Sequence, residues 1–189
     1  MLKDVEDFRQ GKGYSIPYAS LLPNDIILLN FNYTKIADNY FDNVIHIHGN
    51  LNDKGSIIFG YGDELDVKYK EIEDLNDNEC LKKVKSVKYL ERDKYRRLLS
   101  FLELELFQVY VMGHSCGNSD RTLLNTIFEH KNCVSIKPFY YEKPDGTDNF
   151  TEIVQNITRN FNDKKLLRDR VVNKTQCREL PQSKVKQAL

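Results

Sequence analysis

The chain has 189 residues, and its 28 basic and 28 acidic side chains give a formal net charge of zero. Apolar residues make up 40%, enough to fill the core of one domain, or of one domain with a tail. Balanced charge gives no reason to expect nucleic acid or an anionic membrane as the main partner, and no apolar run approaches the ~20 residues of a membrane span.

The first residues, Met1 to Lys12, are charged and lack the apolar stretch of a secretory signal, so a soluble cytoplasmic protein is the expectation. Residues 1–24, with Gly11, Gly13, Pro17 and Pro23, show little periodicity and are expected to form a leader or loop. Asp25 to Leu29 is a short apolar run with polar flanks and reads as a buried strand. Tyr33 to Phe41 reads as a short helix or loop. Val44 to His48 and Ser56 to Phe59 read as strands, punctuated by Gly49, Gly55, Gly60 and Gly62.

Residues 63–97 form a polar insertion with a basic cluster from Lys82 to Arg97. Leu81, Val84 and Val87 recur at helical spacing, which predicts an amphipathic helix whose basic face is wet. A phosphate or nucleic-acid contact is the rival reading of that face, weakened by the acidic residues on both sides.

Leu98, Leu102 and Leu106 predict a helix over Leu98–Leu106, followed by a strand at Gln108–Met112. Ser119 is a suitable N-cap for a helix from Asp120 to about His130, with Leu123, Leu124, Ile127 and Phe128 inward. Cys133–Tyr141 reads as a strand. Phe150–Phe161 reads as a helix with Ile153, Val154 and Ile157 inward, and residues 163–189 as a short helix and tail. The alternation over residues 25–162 predicts a layered α/β domain with a largely parallel sheet flanked by helices. The cysteines, Cys80, Cys116, Cys133 and Cys177, fit no zinc framework and are expected as reduced thiols.

Polar residues gather where the apolar runs stop, and ligands bind at the carboxyl ends of strands in open α/β sheets. Asn32, after the first strand, offers an amide to a ligand or to water. His46 and His48 stand two apart and should point the same way, with His48 at the rim as a general base or as a partner for a ribose hydroxyl. A metal held by both histidines, with His114 or Asp120, is a weaker reading. The plainest alternative is that these residues cap strand ends.

Gly113-His114-Ser115-Cys116-Gly117 lies between a strand and a helix. Such a turn can offer backbone N–H groups and a hydroxyl to a phosphate, with Asp120 on a ribose hydroxyl or acting as a cap. The same letters match the Gly-x-Ser-x-Gly elbow of serine hydrolases, but the only later histidine, His130, lies inside the following helix.

The ordered set of Asn30-Phe31-Asn32-Tyr33-Thr34, His46-Ile47-His48-Gly49, Gly60-Tyr61-Gly62-Asp63, Gly113-His114-Ser115 with Ser119-Asp120, and Ile136-Lys137-Pro138-Phe139-Tyr140-Tyr141 resembles the bacteriophage abortive infection AbiH family. The likeness runs from about Leu28 to Leu180-Pro181-Gln182. That family is similar, more distantly, to the sirtuin-like, Rossmann-like NAD-binding fold. The resemblance implies phage defence with NAD as the bound or hydrolysed nucleotide. It implies His48 and Asn32 as the catalytic pair, and Gly49, Gly113, His114, Ser115 and Asp120 as the nucleotide-holding set. No zinc ribbon is present, so deacylation is not expected. The resemblance also implies an opening Gly-rich strand-turn-helix, for which the sequence offers only Gly11 to Ser15, read as a loop. A domain lacking that first strand should have an unpaired edge or gap, and would dimerise, misfold or need a partner chain. The rivals to a nucleotide-processing enzyme are a non-catalytic remnant or interaction module, and a serine hydrolase at Ser115.

Overall fold

The computed structural model of the chain describes residues 23–61 and 64–181. The leader reading for residues 1–22, the Gly11–Ser15 loop, Gly62, Asp63 and the tail beyond Pro181 lie outside them. The described part is an α/β structure of small parallel sheets flanked by helices. Among the described residues the strands form two parallel pairs.

The first pair joins β1 (Leu28–Asn30) to β2 (Val44–His46), with Leu29 opposite Ile45 and Asn30 opposite His46. β1 starts later than expected because the Asp25 carboxylate takes the Ile26 N–H at 2.8 Å, a local bond that competes with strand pairing. β2 ends earlier than expected. Gly49 N–H donates to His46 O at 3.0 Å, and Gly49 adopts φ +82°, so the chain turns over His48 instead of extending it. The strand expected at Ser56–Phe59 is absent from the described elements. Ser56 closes a 3-10 turn at Lys54–Ser56, and its hydroxyl donates to Asp53 O at 2.6 Å.

The charged insertion breaks into three short helices, α1 (Val67–Asp74), α2 (Asn78–Leu81) and α3 (Lys85–Tyr89). Asp66 and Asp77 cap the first two by accepting from Lys68 N and Glu79 N. Val84, expected mid-helix, is the N-cap of α3 and is buried. The expected continuous wet basic face is also corrected, because Lys85 is only 6% exposed.

Next comes α4 (Lys94–Leu104), which buries Leu98 and Leu102. It stops before Leu106, which is 67% exposed and does not extend the predicted stripe. The second sheet joins β3 (Phe107–Met112) to β4 (Cys133–Phe139), with Val109 opposite Ile136 and a bulge at Phe107/Gln108. Between them lies α5 (Arg121–Phe128), and its four inward residues Leu123, Leu124, Ile127 and Phe128 are all buried, as the periodicity predicts. α6 (Phe150–Arg159) and α7 (Lys164–Arg170) pack on β4, with Ile153 and Ile157 buried and Asp163 capping α7.

β1 and β3 are not paired, but their relative direction follows from the contacts at their ends. Ahead of both strands, Asn24 Nδ2 donates to Glu105 Oε2 at 2.9 Å. After both strands, the Phe31 and His114 rings meet at 4.0 Å. All four strands therefore run the same way. Between β1 and β3 lies a cavity of about 460 Å³, lined by Ile27–Asn32 and Phe107–His114 and walled by apolar residues of α4 and α5. One core joins both pairs, running from Ile45 and Ile47 through Leu98 and Leu102 to Phe128 and Ile136.

Candidate functional site

The polar residues singled out in the sequence converge on the carboxyl ends of β1, β2 and β3. They form two adjoining networks. In the first, Asn30 is the central residue. Its amide Nδ2 donates to Thr34 O at 3.1 Å and lies 3.0 Å from His46 Nδ1. Its Oδ1 accepts the Asn32 N–H at 3.0 Å. His46 Nδ1 thus accepts from the amide, which leaves the ring proton on Nε2, 2.6 Å from Asp38 Oδ1. Asn32, the residue expected to act on a ligand, is itself exposed and lines the mouth of the cavity.

The second network centres on Asp120. This carboxylate is 7% exposed and takes Lys85 Nζ at 2.7 Å and His48 Nε2 at 3.1 Å on Oδ1. Its Oδ2 accepts from Ser119 Oγ at 3.2 Å and faces His114 Nε2 at 3.7 Å. Burial alone would raise its pKa. The bonds from His114, His48 and Lys85 more than reverse that, and hold the carboxyl well below the usual carboxylate range. An ionised Asp120 accepts, so His48 carries its neutral-state proton on Nε2 and its lone pair on Nδ1. The Tyr89 hydroxyl also lies 3.1 Å from His48 Nε2, with its ring parallel to the imidazole. Burial, and then the charge of Asp120, push the Tyr89 phenol above its ordinary range.

Two expectations change here. His46 and His48 do not share a face: the strand ends between them, and they serve different carboxylates. Ser119 does not cap α5. Asp120 occupies the cap position without a side-chain cap bond, and the Ser119 hydroxyl turns to that carboxylate.

The loop after β3 is held by α6. Asn156 Nδ2 donates to Ser115 O and Asn160 Nδ2 to Cys116 O, both at 2.8 Å. His114 Nδ1 accepts the Cys116 N–H at 3.0 Å, so this imidazole turns inward, toward the loop backbone and Asp120. It does not turn to Ser115, whose side chain is exposed. The left-handed position that an elbow nucleophile would take belongs to Cys116, at φ +53°, and that thiol is buried and pushed up to about 12. Gly113 lies at φ +70° on the cavity mouth beside Asn32 and His114. Gly49 is placed differently. A Cβ there would stand 2.1 Å from Ser56 O, so its role is to let two backbone segments approach.

Sequence reasoning missed Lys85, Tyr89, Asn30, Asp38 and Phe31. Lys85 sits in a run of lysines, and nothing local marks it as the one that folds inward. Asn30 is adjacent in sequence to the motif residue chosen, and only the strand's end shows which asparagine is buried. Among the described residues, no group of three His, Cys, Asp or Glu side chains is placed to hold a metal, and no helix is long and apolar enough to cross a membrane.

The fold and site define a class: an α/β protein with a polar, imidazole-rich rim at the carboxyl ends of parallel strands. A family model described as bacteriophage abortive infection AbiH matches residues 4–141, and the chain belongs to that family. The match begins ahead of Leu28, where the sequence likeness was placed, and ends at Tyr141. No curated protein and no solved structure matches the chain. Membership places the chain among phage-defence proteins. The family's description names a phenotype and sets no reaction.

Proposed function

We propose that this phage-defence protein binds a nucleotide of the NAD type at the strand-end rim and hydrolyses it, with His48 as the general base. The observation that carries the reading is the His48–Asp120 pair. An ionised, buried carboxylate holds one imidazole nitrogen as donor and leaves the other as an acceptor, the orientation that a general base uses. Asn32, Gly113 and His114, at the mouth of the cavity, are placed to contact the base or ribose, and Gly113 lets a ligand approach its backbone. In hydrolysis of NAD, water adds to the ribose C1′, nicotinamide leaves with the electron pair of the glycosidic bond, and the water proton passes to His48.

A second reading is favoured by one observation. His48 is 4% exposed and lies under Phe31, edge to face at 5.5 Å. A histidine so covered also suits a binding module without catalysis. Incubating the purified full chain with NAD, beside a His48→Ala variant, separates the two. Hydrolysis by the parent, reduced at least 100-fold in the variant, is the expected outcome. NAD binding without consumption would leave the module, and equal consumption in the variant would remove His48 from the chemistry.

A further inference from the structure

We infer that Asn156 and Asn160, one turn apart on α6, are positioning residues of the candidate site. They clamp the loop after β3 in a left-handed form and thereby set the orientation and tautomer of the His114 ring. The clamp acts through the loop backbone, and only its effect on turnover rests on the proposed NAD reading.

Strain in the loop comes first. Cys116 takes φ +53°, a left-handed conformation that brings the Cβ of any residue other than glycine against its own backbone. Such a conformation persists where the surroundings over-determine it. The Cys116 side chain does not supply that hold: its thiol is buried but makes only a long contact to His114 O, at 4.0 Å. The backbone does. A residue's φ and ψ are the rotations that relate the two planar peptide units on either side of its Cα. For Cys116, the first unit carries the Ser115 carbonyl and the second carries its own. Asn156 Nδ2 donates to the first and Asn160 Nδ2 to the second, both at 2.8 Å. Pinning both planes from one helix fixes both dihedrals together.

The amides of the clamp are themselves oriented. Asn156 Oδ1 accepts from Arg159 Nη1, which leaves Nδ2 toward the loop. Asn160 Nδ2 faces two carbonyls, Cys116 O and Asn156 O, each at 2.8 Å, and only the nitrogen can donate to both. Their helix is seated by the buried Ile153 and Ile157, and Asn125 Nδ2 of α5 donates to Asn160 O at 2.9 Å. Asn160 is fully buried, and among the described residues its Oδ1 has no hydrogen-bond partner. An orphaned buried acceptor lowers stability, and an apolar side chain of like size would avoid that cost. Packing alone therefore does not account for an amide here. Its donated bonds do.

The effect of the clamp is delivered to His114. In a trans peptide unit the N–H points away from the C=O. With the Ser115 carbonyl turned to α6, the Cys116 N–H turns the other way, and His114 Nδ1 accepts it at 3.0 Å. That bond places the proton of the neutral ring on Nε2, which faces Asp120 Oδ2 at 3.7 Å. A loop released from α6 would rotate this peptide unit, and His114 would lose the bond that selects its tautomer. His114 lines the mouth of the cavity, so the clamp sets what the site offers there.

The test follows the His114 ring by long-range 1H–15N NMR of the full chain, at mildly alkaline pH and without nucleotide. The wild type is expected to show one tautomer, with the proton on Nε2. Asn160→Leu should show a mixture of both. Adding Cys116→Gly should restore the single tautomer, because glycine takes the left-handed form without strain and needs no clamp. Asn125→Ala, which removes the bond to Asn160 O and none to the loop, should lower the melting temperature and leave His114 unchanged. Where Asn160→Leu does not fold, Asn156→Ala, which removes the Ser115 bond from a half-buried position, gives the same reading. An unchanged His114 in a folded clamp variant would overturn the inference. A mixture that Cys116→Gly does not correct would overturn it too, and would make the two asparagines general supports of the fold. Where the wild type hydrolyses NAD, Asn160→Leu should raise KM about tenfold with kcat within about twofold, and an unchanged KM would remove the clamp's role at the site. Absence of turnover in the wild type would count against the proposed hydrolysis alone, since the tautomer is read with no nucleotide present.

Discussion

Asp120 decides more of the site's electrostatics than any other side chain, because Lys85, His48 and His114 all face its carboxylate. Lys85 and Asp120 are both buried, at 7% and 8% side-chain exposure. A buried pair of this kind adds little over an apolar pair, but breaking it leaves one uncompensated charge. Asp120→Asn is therefore expected to lower stability by about 3–5 kcal/mol at pH 7. Adding Lys85→Met to that variant should recover a good part of the loss. Urea unfolding of the wild type, both single variants and the double variant measures the coupling. The pH dependence follows in sign. The folded carboxyl titrates below its unfolded value, so its contribution is fully present above about pH 4, the unfolded aspartate range. It is lost as pH falls further. The wild type should lose stability more steeply than Asp120→Asn between pH 4 and pH 2. Parallel slopes in that window would show that Asp120 is not ionised in the folded state.

At the scale of elements, the sequence is most legible where a single face meets a single core. α5 buries all four apolar residues its spacing marks, α6 buries Ile153 and Ile157 but leaves Val154 half-buried, and β3 and β4 fall on the apolar runs within a residue or two. It is least legible where side chains bond back to their own backbone. Asp25 and Ser56 each make such a bond, and each falls where the apolar pattern misplaced a strand. The candidate site was legible as a set of strand ends, but its pairings were not. Which histidine meets which carboxylate depends on the turn at Gly49. That turn makes a definite prediction. Gly49 needs φ +82°, and a Cβ would press on Ser56 O and Ser56 Oγ, at 2.1 and 2.7 Å. Gly49→Ala should cost about 3 kcal/mol or more, combining a left-handed penalty with a backbone clash. A thermal melt within about 2 °C of the wild type would show that the turn relaxes freely. The variant is also expected to misplace His48, because Ile58 N–H donates to His48 O at 2.9 Å and ties the same turn to the next segment.

For the whole molecule, the question is how the two parallel pairs are held as one body when no backbone bond of a shared sheet joins β1 to β3. The apolar core crosses between them through α4 and α5. At the strand ends the crossing is made by Phe31, whose ring meets His114 at 4.0 Å and His48 at 5.5 Å. Phe31 therefore does two things: it fastens β1 to the loop after β3, and it covers the imidazole held by Asp120. The two roles predict separable effects of Phe31→Ala. The ring is only half-buried, so the stability loss should fall near 2–3 kcal/mol, at or below the low end for a core Phe→Ala change. His48 should become open to solvent. Diethyl pyrocarbonate, read residue by residue by mass spectrometry, measures that exposure. In the wild type His114, with 22% of its side chain exposed, should react well ahead of His48, at 5%. In Phe31→Ala the two rates should converge, with His48 modified at least tenfold faster than before. The NAD assay then gives the opening its meaning. If His48 is the base and Phe31 its cover, the variant should hydrolyse NAD faster at saturating substrate, since the step of uncovering is removed. If turnover stays absent while His48 reacts freely with the reagent, access is not what limits the chemistry, and the His48–Asp120 pair is there to hold the fold.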